Sequence, residues 1–240
     1  MIRNELVKRS PLRILEQSTH GGLGSGNIGV IAAPKGVGKT ACLVHLATDH
    51  LLEGKHVIHV SFASDTSHII SWYEDIFEEI AKRYDLDCAM DVHDDTIKNR
   101  VIMNFRQDGV SAQQVQKSMR LMITDAHFNA DAVFIDGYDF SKSSEPEFAS
   151  FKRFAEETGL ELWFSASTQK DALQNGKNGV PPLLERFESH ISVLIVLEPC
   201  DTYISLKLVK DHETVPVGNL HLKLDPHILL IAEDAKPAAG

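Results

Sequence analysis

The sequence predicts an α/β fold with a mainly parallel central sheet, helices on both faces and an antiparallel β extension at the C-terminal end. Two patterns support this prediction. Through most of the chain, short apolar runs alternate with longer segments whose apolar residues recur at helical spacing, which is typical of parallel βαβ units. Towards the C-terminal end, short apolar runs follow one another without helical segments between them, which indicates an antiparallel meander.

The predicted elements follow one another in a regular order. A lead-in at 1–26 holds a short apolar stretch and then a series of glycines that marks turns. Ser111 is a plausible N-cap for the third helix. The predicted parallel strands are 28–33, 57–62, 101–105, 132–135 and 162–164, and the predicted helices are 39–52, 67–84, 111–127 and 147–157. The meander strands are predicted at 191–197, 203–209, 220–224 and 228–231, before a tail at 233–240 that we expect to be frayed.

Length and composition fit one sizeable α/β domain. The chain has 240 residues, of which 43% are apolar and 24% charged, ordinary values for a globular protein. The sequence shows neither an apolar run of signal-peptide type nor one long enough to span a membrane. The cysteines Cys42, Cys88 and Cys200 have no paired spacing, so we expect reduced thiols and a cytoplasmic protein.

The charge distribution is unfavourable for binding nucleic acid. The formal net charge is −10 and the sequence pI is about 5.6. Between Asp65 and Asp95 ten acidic residues stand against only Lys82 and Arg83, and we expect them to form a solvated acidic face. Proteins that bind nucleic acid generically usually present a basic face to the phosphates, so nucleic acid is an improbable partner by composition, although it is not excluded.

The strongest local signal is a phosphate-binding loop at Ala33-Pro34-Lys35-Gly36-Val37-Gly38-Lys39-Thr40. It fits the pattern G-x-x-x-x-G-K-S/T with alanine in the first position, and it lies between a predicted strand and a predicted helix that continues through Ala41. Glycines let successive N–H groups turn towards one anion, and the helix N-terminus adds partial positive charge. This pattern predicts that Lys39 reaches the β- and γ-phosphates of a nucleoside triphosphate and that Thr40 ligates Mg²⁺.

A second magnesium residue is predicted at Asp136. The segment from Asp131 to Asp139 contains four apolar residues that end at Asp136, so this carboxylate stands at the C-terminal end of a strand. P-loop proteins hold magnesium through an acid in this position. ATP with Mg²⁺ is therefore the expected ligand.

With these motifs in order, the chain resembles a RecA-superfamily ATPase core, nearest to the KaiC-like and DnaB-type replicative-helicase branches. The lead-in from Pro11 to Gly26 is similar to that of the group. Residues 164–169 lie where the family carries a polar cluster that senses the γ-phosphate, and the resemblance assigns this role to Gln169. Residues 206–212, followed by Gly218, resemble the family's late strand, in which Lys210 would act across a subunit interface. The resemblance also implies a homo-oligomer.

Two departures from the family pattern bear on turnover. The family usually has a glutamate after the second strand that activates the attacking water, but this position holds Ala63; Asp65 and Asp139 are candidate replacements. Loss of a general base costs ~10²–10⁴-fold in rate. His212 stands where the family often has an arginine that reaches a neighbouring subunit.

The twelve histidines invite a metal-site interpretation that we consider weaker. His56 and His59 lie three apart in a predicted strand and face opposite sides of it. His93 and the two aspartates after it are expected in a polar surface loop. Trp72 and Tyr73 are expected to contact the core or a partner.

Three functions remain open from the sequence. The first is a slow or regulatory Mg-ATPase. The second is a DNA-dependent translocating or recombination ATPase, against which the charge argues. The third is a non-catalytic module that binds a protein partner under the control of ATP.

Overall fold

The structure is a computed structural model that describes residues 7–8, 10–63, 65–84, 89–106, 109–169, 177–214, 216, 219–226 and 230–233. The helices in these ranges are α1 (Leu12–Ser18), α2 (Lys39–Leu52), α3 (Ser67–Tyr84), α4 (Ala89–Lys98), α5 (Ala112–Thr124) and α6 (Glu145–Thr158). The strands are β1 (Ile28–Pro34), β2 (Val57–Ser61), β3 (Arg100–Asn104), β4 (Ala132–Asp136), β5 (Glu161–Thr168), β6 (Val193–Pro199), β7 (Ile204–Asp211), β8 (Asn219–Leu224) and β9 (Ile231–Glu233). Short 3-10 helices cover Lys177–Gly179 and Glu185–His190. Across these ranges no helix is long and apolar enough to cross a bilayer.

One sheet joins the described strands in the order β3-β2-β4-β5-β1-β6-β7-β8-β9. The pairs from β3 to β6 in this order are parallel, and the pairs from β6 to β9 are antiparallel. Parallel neighbours need long crossovers, whereas antiparallel neighbours can be joined by tight turns. This sheet confirms the predicted α/β fold with an antiparallel C-terminal extension.

Apolar layers cover both faces of the sheet. Along β4, Ala132 and Phe134 face the layer that contains α2 and α3, whereas Val133 and Ile135 face the layer that contains α5 and α6. A strand that is buried on both faces has a continuous apolar sequence. The sequences of the parallel strands therefore lack the alternation of apolar and polar residues that is typical of half-buried strands. The predicted helices on both faces are confirmed.

Helix α2, which follows the glycine loop, is the most enclosed helix. Thr40 is its one residue that is not buried. A helix that is enclosed on all sides is held by packing rather than by an amphipathic surface. Helix α1 packs near it, where Arg13 forms ion pairs with Glu16, Asp49 and Glu53.

Local signals fix the ends of α5 and α6. The Ser111 hydroxyl accepts from the Gln114 amide and the Gln114 side chain accepts from the Ser111 amide, which makes a capping box. Helix α6 begins after Ser144, whose hydroxyl accepts from the Glu147 amide, and it stops at Gly159 in the left-handed conformation. The N-cap predicted at Ser111 is confirmed.

Some sequence predictions need correction. His93 and the two aspartates after it lie in helix α4 and not in a loop. Their polarity hides the helix, which is held by tertiary contacts such as the one from His93 Nε2 to Glu74 Oε2 at 2.5 Å. The meander strands β6 and β7 start two residues and one residue later than predicted, respectively. Several predicted features lie outside the described residues: Gly218, residues 228–229 of the last predicted strand and most of the predicted tail.

Candidate functional site

The glycine loop occupies the turn between β1 and α2. Strand β1 is buried along its whole length and ends at Pro34, and α2 begins at Lys39. Gly36 and Gly38 have φ values of 84° and 93°, in the left-handed region where a side chain is strained. Lys35 and Gly36 are exposed, Val37 is half-buried and Ala41 is buried. A loop of this shape at a helix N-terminus presents N–H groups and partial positive charge to an anion.

Lys39 is buried at the base of this loop. Its side-chain ammonium donates to the carbonyl oxygens of Ala33 at 3.1 Å and Pro34 at 2.9 Å. Burial lowers the pKa of Lys39, and the nearby Asp136 carboxylate acts against that shift. A buried ammonium held mainly by neutral carbonyls is stabilised further by an anionic ligand placed beside it.

Thr40 and Asp136 meet beside Lys39. The Thr40 hydroxyl donates to Asp136 Oδ2 at 2.9 Å. The second oxygen, Oδ1, accepts from the Ser165 hydroxyl at 2.6 Å, and Ser165 Oγ in turn accepts from the Gly137 amide at 2.9 Å. These bonds fix the orientation of a carboxylate that stands at the C-terminal end of β4.

Ser165 is the residue of this group that sequence reasoning missed. It lies within the polar cluster at 164–169, but its position gave no reason to separate it from the neighbouring serines. Strand alternation places Ser165 and Ser167 on the same face, and only the pairing of β4 with β5 brings Ser165 beside Asp136.

Gln169 leaves the sheet next to the loop. Thr168, the last residue of β5, pairs with Pro34, the last residue of β1. Gln169 follows directly and is exposed. The structure therefore brings Gln169 to the edge of the sheet that carries Lys39, Thr40 and Asp136.

Ala63 lies at the same edge. The Phe62 amide donates to the Asp136 carbonyl at 3.0 Å, which continues the pairing of β2 with β4 beyond the end of β2. Ala63 is the next residue and has no group that can accept a proton. The position at which the sequence resemblance predicts a glutamate therefore carries no acid.

The two candidate replacement acids are engaged elsewhere. Asp65 accepts from the amide and the hydroxyl of Ser67, at 2.9 and 2.5 Å, at the start of α3. Asp139 accepts from the amide and the hydroxyl of Ser141, at 3.0 and 2.5 Å. The pKa of Asp65 is lowered chiefly by its bond from the Ser67 hydroxyl, and that of Asp139 chiefly by its bond from the Ser141 hydroxyl. A carboxylate with a lowered pKa is a weaker base, so both acids are less able to activate water by taking up its proton.

Lys210 is not brought to the loop of its own chain. Strand β7 is antiparallel to β6, and Lys210 pairs with Leu194 near the start of β6. Lys210 therefore lies towards the ends of the strands opposite to the glycine loop. Its ammonium donates to the Glu188 carbonyl at 2.6 Å. His212 is also held within the chain, because its ring contacts Asp211 Oδ1 at 2.9 Å and the Leu23 carbonyl at 3.1 Å.

The C-terminal extension covers the loop, a contact that the sequence did not reveal. A Cβ atom added to Gly38 would lie 2.4 Å from Leu224 Cδ2 and 3.8 Å from Ile204 Cδ1. Ile204 pairs with Leu224, so the hairpin of β7 and β8 presents an apolar pair to the glycine. Gly38 is therefore required both for its backbone angles and for this close approach.

The histidines do not gather into a metal site among the described residues. His59 is fully buried, and its Nδ1 contacts the Tyr73 hydroxyl at 3.0 Å. The one group within those ranges whose acidic atoms lie close enough to share an ion is Glu16, Asp49 and Glu53. Arg13 forms ion pairs with all three and already neutralises part of their charge.

Comparisons with known proteins agree with the fold. No family model matches the chain, and no curated protein matches it. Among solved structures, the chain is similar to one described as an ATPase domain, with a TM-score of 0.68 and 16% sequence identity. The match covers 92% of this chain and 89% of that one. At this identity the likeness shows the fold, and it supports the expectation that the fold is RecA-like.

Proposed function

We propose that this chain binds Mg-ATP through the loop from Ala33 to Thr40. The observation that carries the proposal is the meeting of Lys39, Thr40 and Asp136 at one edge of the sheet. Loop amides, a helix N-terminus and a buried ammonium together suit a polyphosphate. The description of the similar structure as an ATPase domain supports ATP as the nucleotide.

Magnesium fits the oxygen atoms that the chain provides. Mg²⁺ prefers hard oxygen ligands and is usually held by one or two protein groups, water and substrate phosphates. Thr40 Oγ1 and the Asp136 carboxylate are such groups and lie within hydrogen-bond distance of each other. When bound, the ion would offset phosphate charge, and Ser165 would keep Asp136 in the required orientation.

We further propose that hydrolysis is slow and that the nucleotide serves mainly to regulate the protein. Ala63 supplies no base, and the carboxylates of Asp65 and Asp139 are tied to serines. Gln169 remains the candidate for sensing the γ-phosphate. A slow ATPase and a module that binds ATP without hydrolysing it share this geometry, and turnover decides between them.

The proposal also includes the finer expectations from the resemblance. We place the chain near the KaiC-like and DnaB-type branches of the RecA-like ATPases, in the cytoplasm, as a homo-oligomer with a protein partner. Lys210 can act on nucleotide only across an interface between subunits, given its position at the far edge of the sheet. Sedimentation with and without Mg-ATP tests the assembly.

The deciding experiment measures ATP binding and steady-state phosphate release for the wild type and for Lys39→Ala. Lys117→Ala is the matched control, since it removes an exposed lysine from α5, outside the loop. We expect Mg-ATP to bind to the wild type and the control and not to Lys39→Ala, with little phosphate release. Equal binding by wild type and Lys39→Ala would refute the proposed site. Strong stimulation of release by single-stranded DNA would favour a DNA-dependent ATPase.

A further inference from the structure

A second pocket opens at the same sheet edge, on the layer of α5 and α6. It has a volume of about 210 Å³. Phe62 and Tyr138 form an aromatic wall, with ring centroids 6.1 Å apart and planes at 60°. Val110 and Val115 contribute aliphatic surface. The phosphate loop takes no part in this lining, so the pocket is distinct from the nucleotide site.

Several contacts within the chain hold the Tyr138 side of the aromatic wall in place. The Tyr138 hydroxyl bonds to Ser143 Oγ at 2.5 Å, and its ring makes edge contacts with Phe140, Phe151 and Phe164. A wall that is fixed before binding costs less conformational entropy when a ligand arrives. The pocket is therefore preorganised for a planar or bulky apolar group.

The rim of the pocket is acidic. Asp139 and Glu147 stand there with Lys142 as the one cation of the lining. Lys142 lies 3.6 Å from Asp139, but its side chain is 71% exposed. Glu147 accepts two long bonds, from the Ala112 amide at 3.3 Å and from the Ser143 hydroxyl at 3.4 Å, so its carboxylate can still accept from a cation.

The size favours one side chain over a whole small molecule. Typical ligand pockets hold ~300–1,000 Å³, more than this one. Protein interfaces often depend on a single aromatic anchor in a pocket of this kind. The acidic rim disfavours the phosphates of a nucleic acid and is complementary to a basic residue beside the anchor.

We propose that this pocket is the docking site for a protein partner that inserts one aromatic side chain flanked by a lysine or arginine. One residue, Gly137, separates Asp136 from Tyr138 of the aromatic wall. A Cβ atom on Gly137 would lie 3.5 Å from Phe62 Cβ. The aromatic wall therefore packs directly against the chain that follows Asp136, one of the two residues proposed to hold magnesium. The pocket is placed so that nucleotide binding can affect the docking of the partner, although docking does not require nucleotide.

The test uses three capped dipeptides as probes: acetyl-phenylalanyl-lysine amide, the phenylalanyl-glutamate analogue and the alanyl-lysine analogue. Titrations into the full chain without nucleotide are followed by methyl NMR of Val110 and Val115. We expect phenylalanyl-lysine to shift these methyls and to bind ~2–5-fold more tightly than phenylalanyl-glutamate, the range of an exposed ion pair. The alanyl-lysine probe lacks the anchor and should leave the methyls unshifted.

A charge reversal sharpens the test. Lys142→Glu removes the cation from the rim and should tighten phenylalanyl-lysine binding by ~2–5-fold. Lys207→Glu makes the same charge change at an exposed position of β7, outside the lining of the pocket, and should leave the affinity unchanged. An oligothymidylate is titrated as a further probe for nucleic acid. The proposal would be overturned if no dipeptide shifted the methyls, if the lysine and glutamate probes bound with equal affinity, or if the oligothymidylate gave the larger shifts. Because nucleotide is absent, failure here is distinguishable from failure of ATP binding.

Discussion

The Thr40 hydroxyl donates to Asp136 Oδ2 at 2.9 Å, although the two residues are 96 positions apart in the chain. The bond joins the first turn of α2 to the end of β4. Ser165 completes the arrangement from β5 by holding the other carboxylate oxygen. Three elements thus converge on the two oxygen groups proposed to hold magnesium.

The first prediction concerns Asp136→Asn. Replacing the carboxylate by an amide removes the charge that favours Mg²⁺, so added magnesium should no longer strengthen ATP binding. Ser165→Ala leaves the carboxylate but frees its orientation, and should weaken the magnesium effect by ~10–100-fold. The measurement is the affinity for a fluorescent ATP analogue with and without Mg²⁺.

Asp131→Asn is the matched control, since Asp131 precedes the same strand at the opposite edge, where it accepts from the His56 amide. Its magnesium dependence should equal that of the wild type. A full magnesium effect in Asp136→Asn would show that the ion is held elsewhere.

The second prediction is a gain of activity in Ala63→Glu. Ala63 follows Phe62, whose amide donates to the Asp136 carbonyl, so a longer acid at position 63 would stand near the magnesium site proposed at Thr40 and Asp136. A general base contributes ~10²–10⁴-fold to a rate, and we expect phosphate release to rise by ~10²-fold with little change in ATP affinity. Ala63→Gln matches the size without the base and should stay at the wild-type rate. A rise of equal size in both variants would rule out base catalysis as its cause.

The third prediction separates two reasons for glycine in this loop: the left-handed backbone conformation and the close approach of another side chain. Gly36→Ala meets open space, so it should cost only the strain of a left-handed residue, about 1–2 kcal/mol of unfolding free energy. Gly38→Ala has the same strain and also collides with Leu224, which should add about 1–3 kcal/mol. Urea unfolding of both variants measures the difference.

The pairing of Gly38 with Leu224 is tested by a double-mutant cycle. Leu224→Ala removes the colliding atoms, so it should cost less in the Gly38→Ala background than in the wild type. Additive costs would mean that the hairpin of β7 and β8 moves away from the loop without penalty.

Each part of this site that the sequence predicted has a signal within its own short segment, as the loop from Ala33 to Thr40 and the strand that ends at Asp136 do. The loop from Ala33 to Thr40 carries its own strand, turn and helix signals, and the structure has β1 and α2 there. Ser165 and Leu224 carry no comparable signal, because their roles come from contacts between strands distant in sequence. The order of the strands decides those contacts, and no local pattern encodes it.

The error at α4 has a different physical origin. Residues 93–95 are polar enough to suggest a loop, and intrinsic propensity is a weak guide when tertiary contacts oppose it. His93 contacts Glu74 and packs against Phe77 with its ring tilted by 57° and ring centroids 4.9 Å apart, and both partners lie on α3. Contacts with α3 therefore help to hold α4 as a helix, and the sequence of α4 alone does not reveal those contacts.

The last prediction is a pH dependence of stability that arises from His45. This side chain of α2 is buried, and its Nδ1 accepts from the Ile231 amide of β9 at 2.9 Å, so the ring must be neutral at that nitrogen. Burial, assisted by the charge of Arg83, lowers the pKa of His45 from 6.5 to about 4. Below pH 6.5 the unfolded chain takes up a proton at His45 that the folded chain refuses. Stability is therefore lost as the pH falls from 6.5, at up to about 1.4 kcal/mol per pH unit, and this loss levels off below pH 4.

His45→Gln isolates the effect, because its amide oxygen can still accept from the Ile231 amide but does not titrate. Unfolding free energies from urea titrations are compared at pH values above, within and below the window from 6.5 to about 4. The wild type should lose stability relative to the variant only inside the window, while a constant difference between the two proteins would show that His45 is protonated in the folded chain as readily as in the unfolded one. Since the bond from the Ile231 amide to His45 joins α2, the helix after the glycine loop, to the last described strand, the same titration tests the contact between the C-terminal extension and α2.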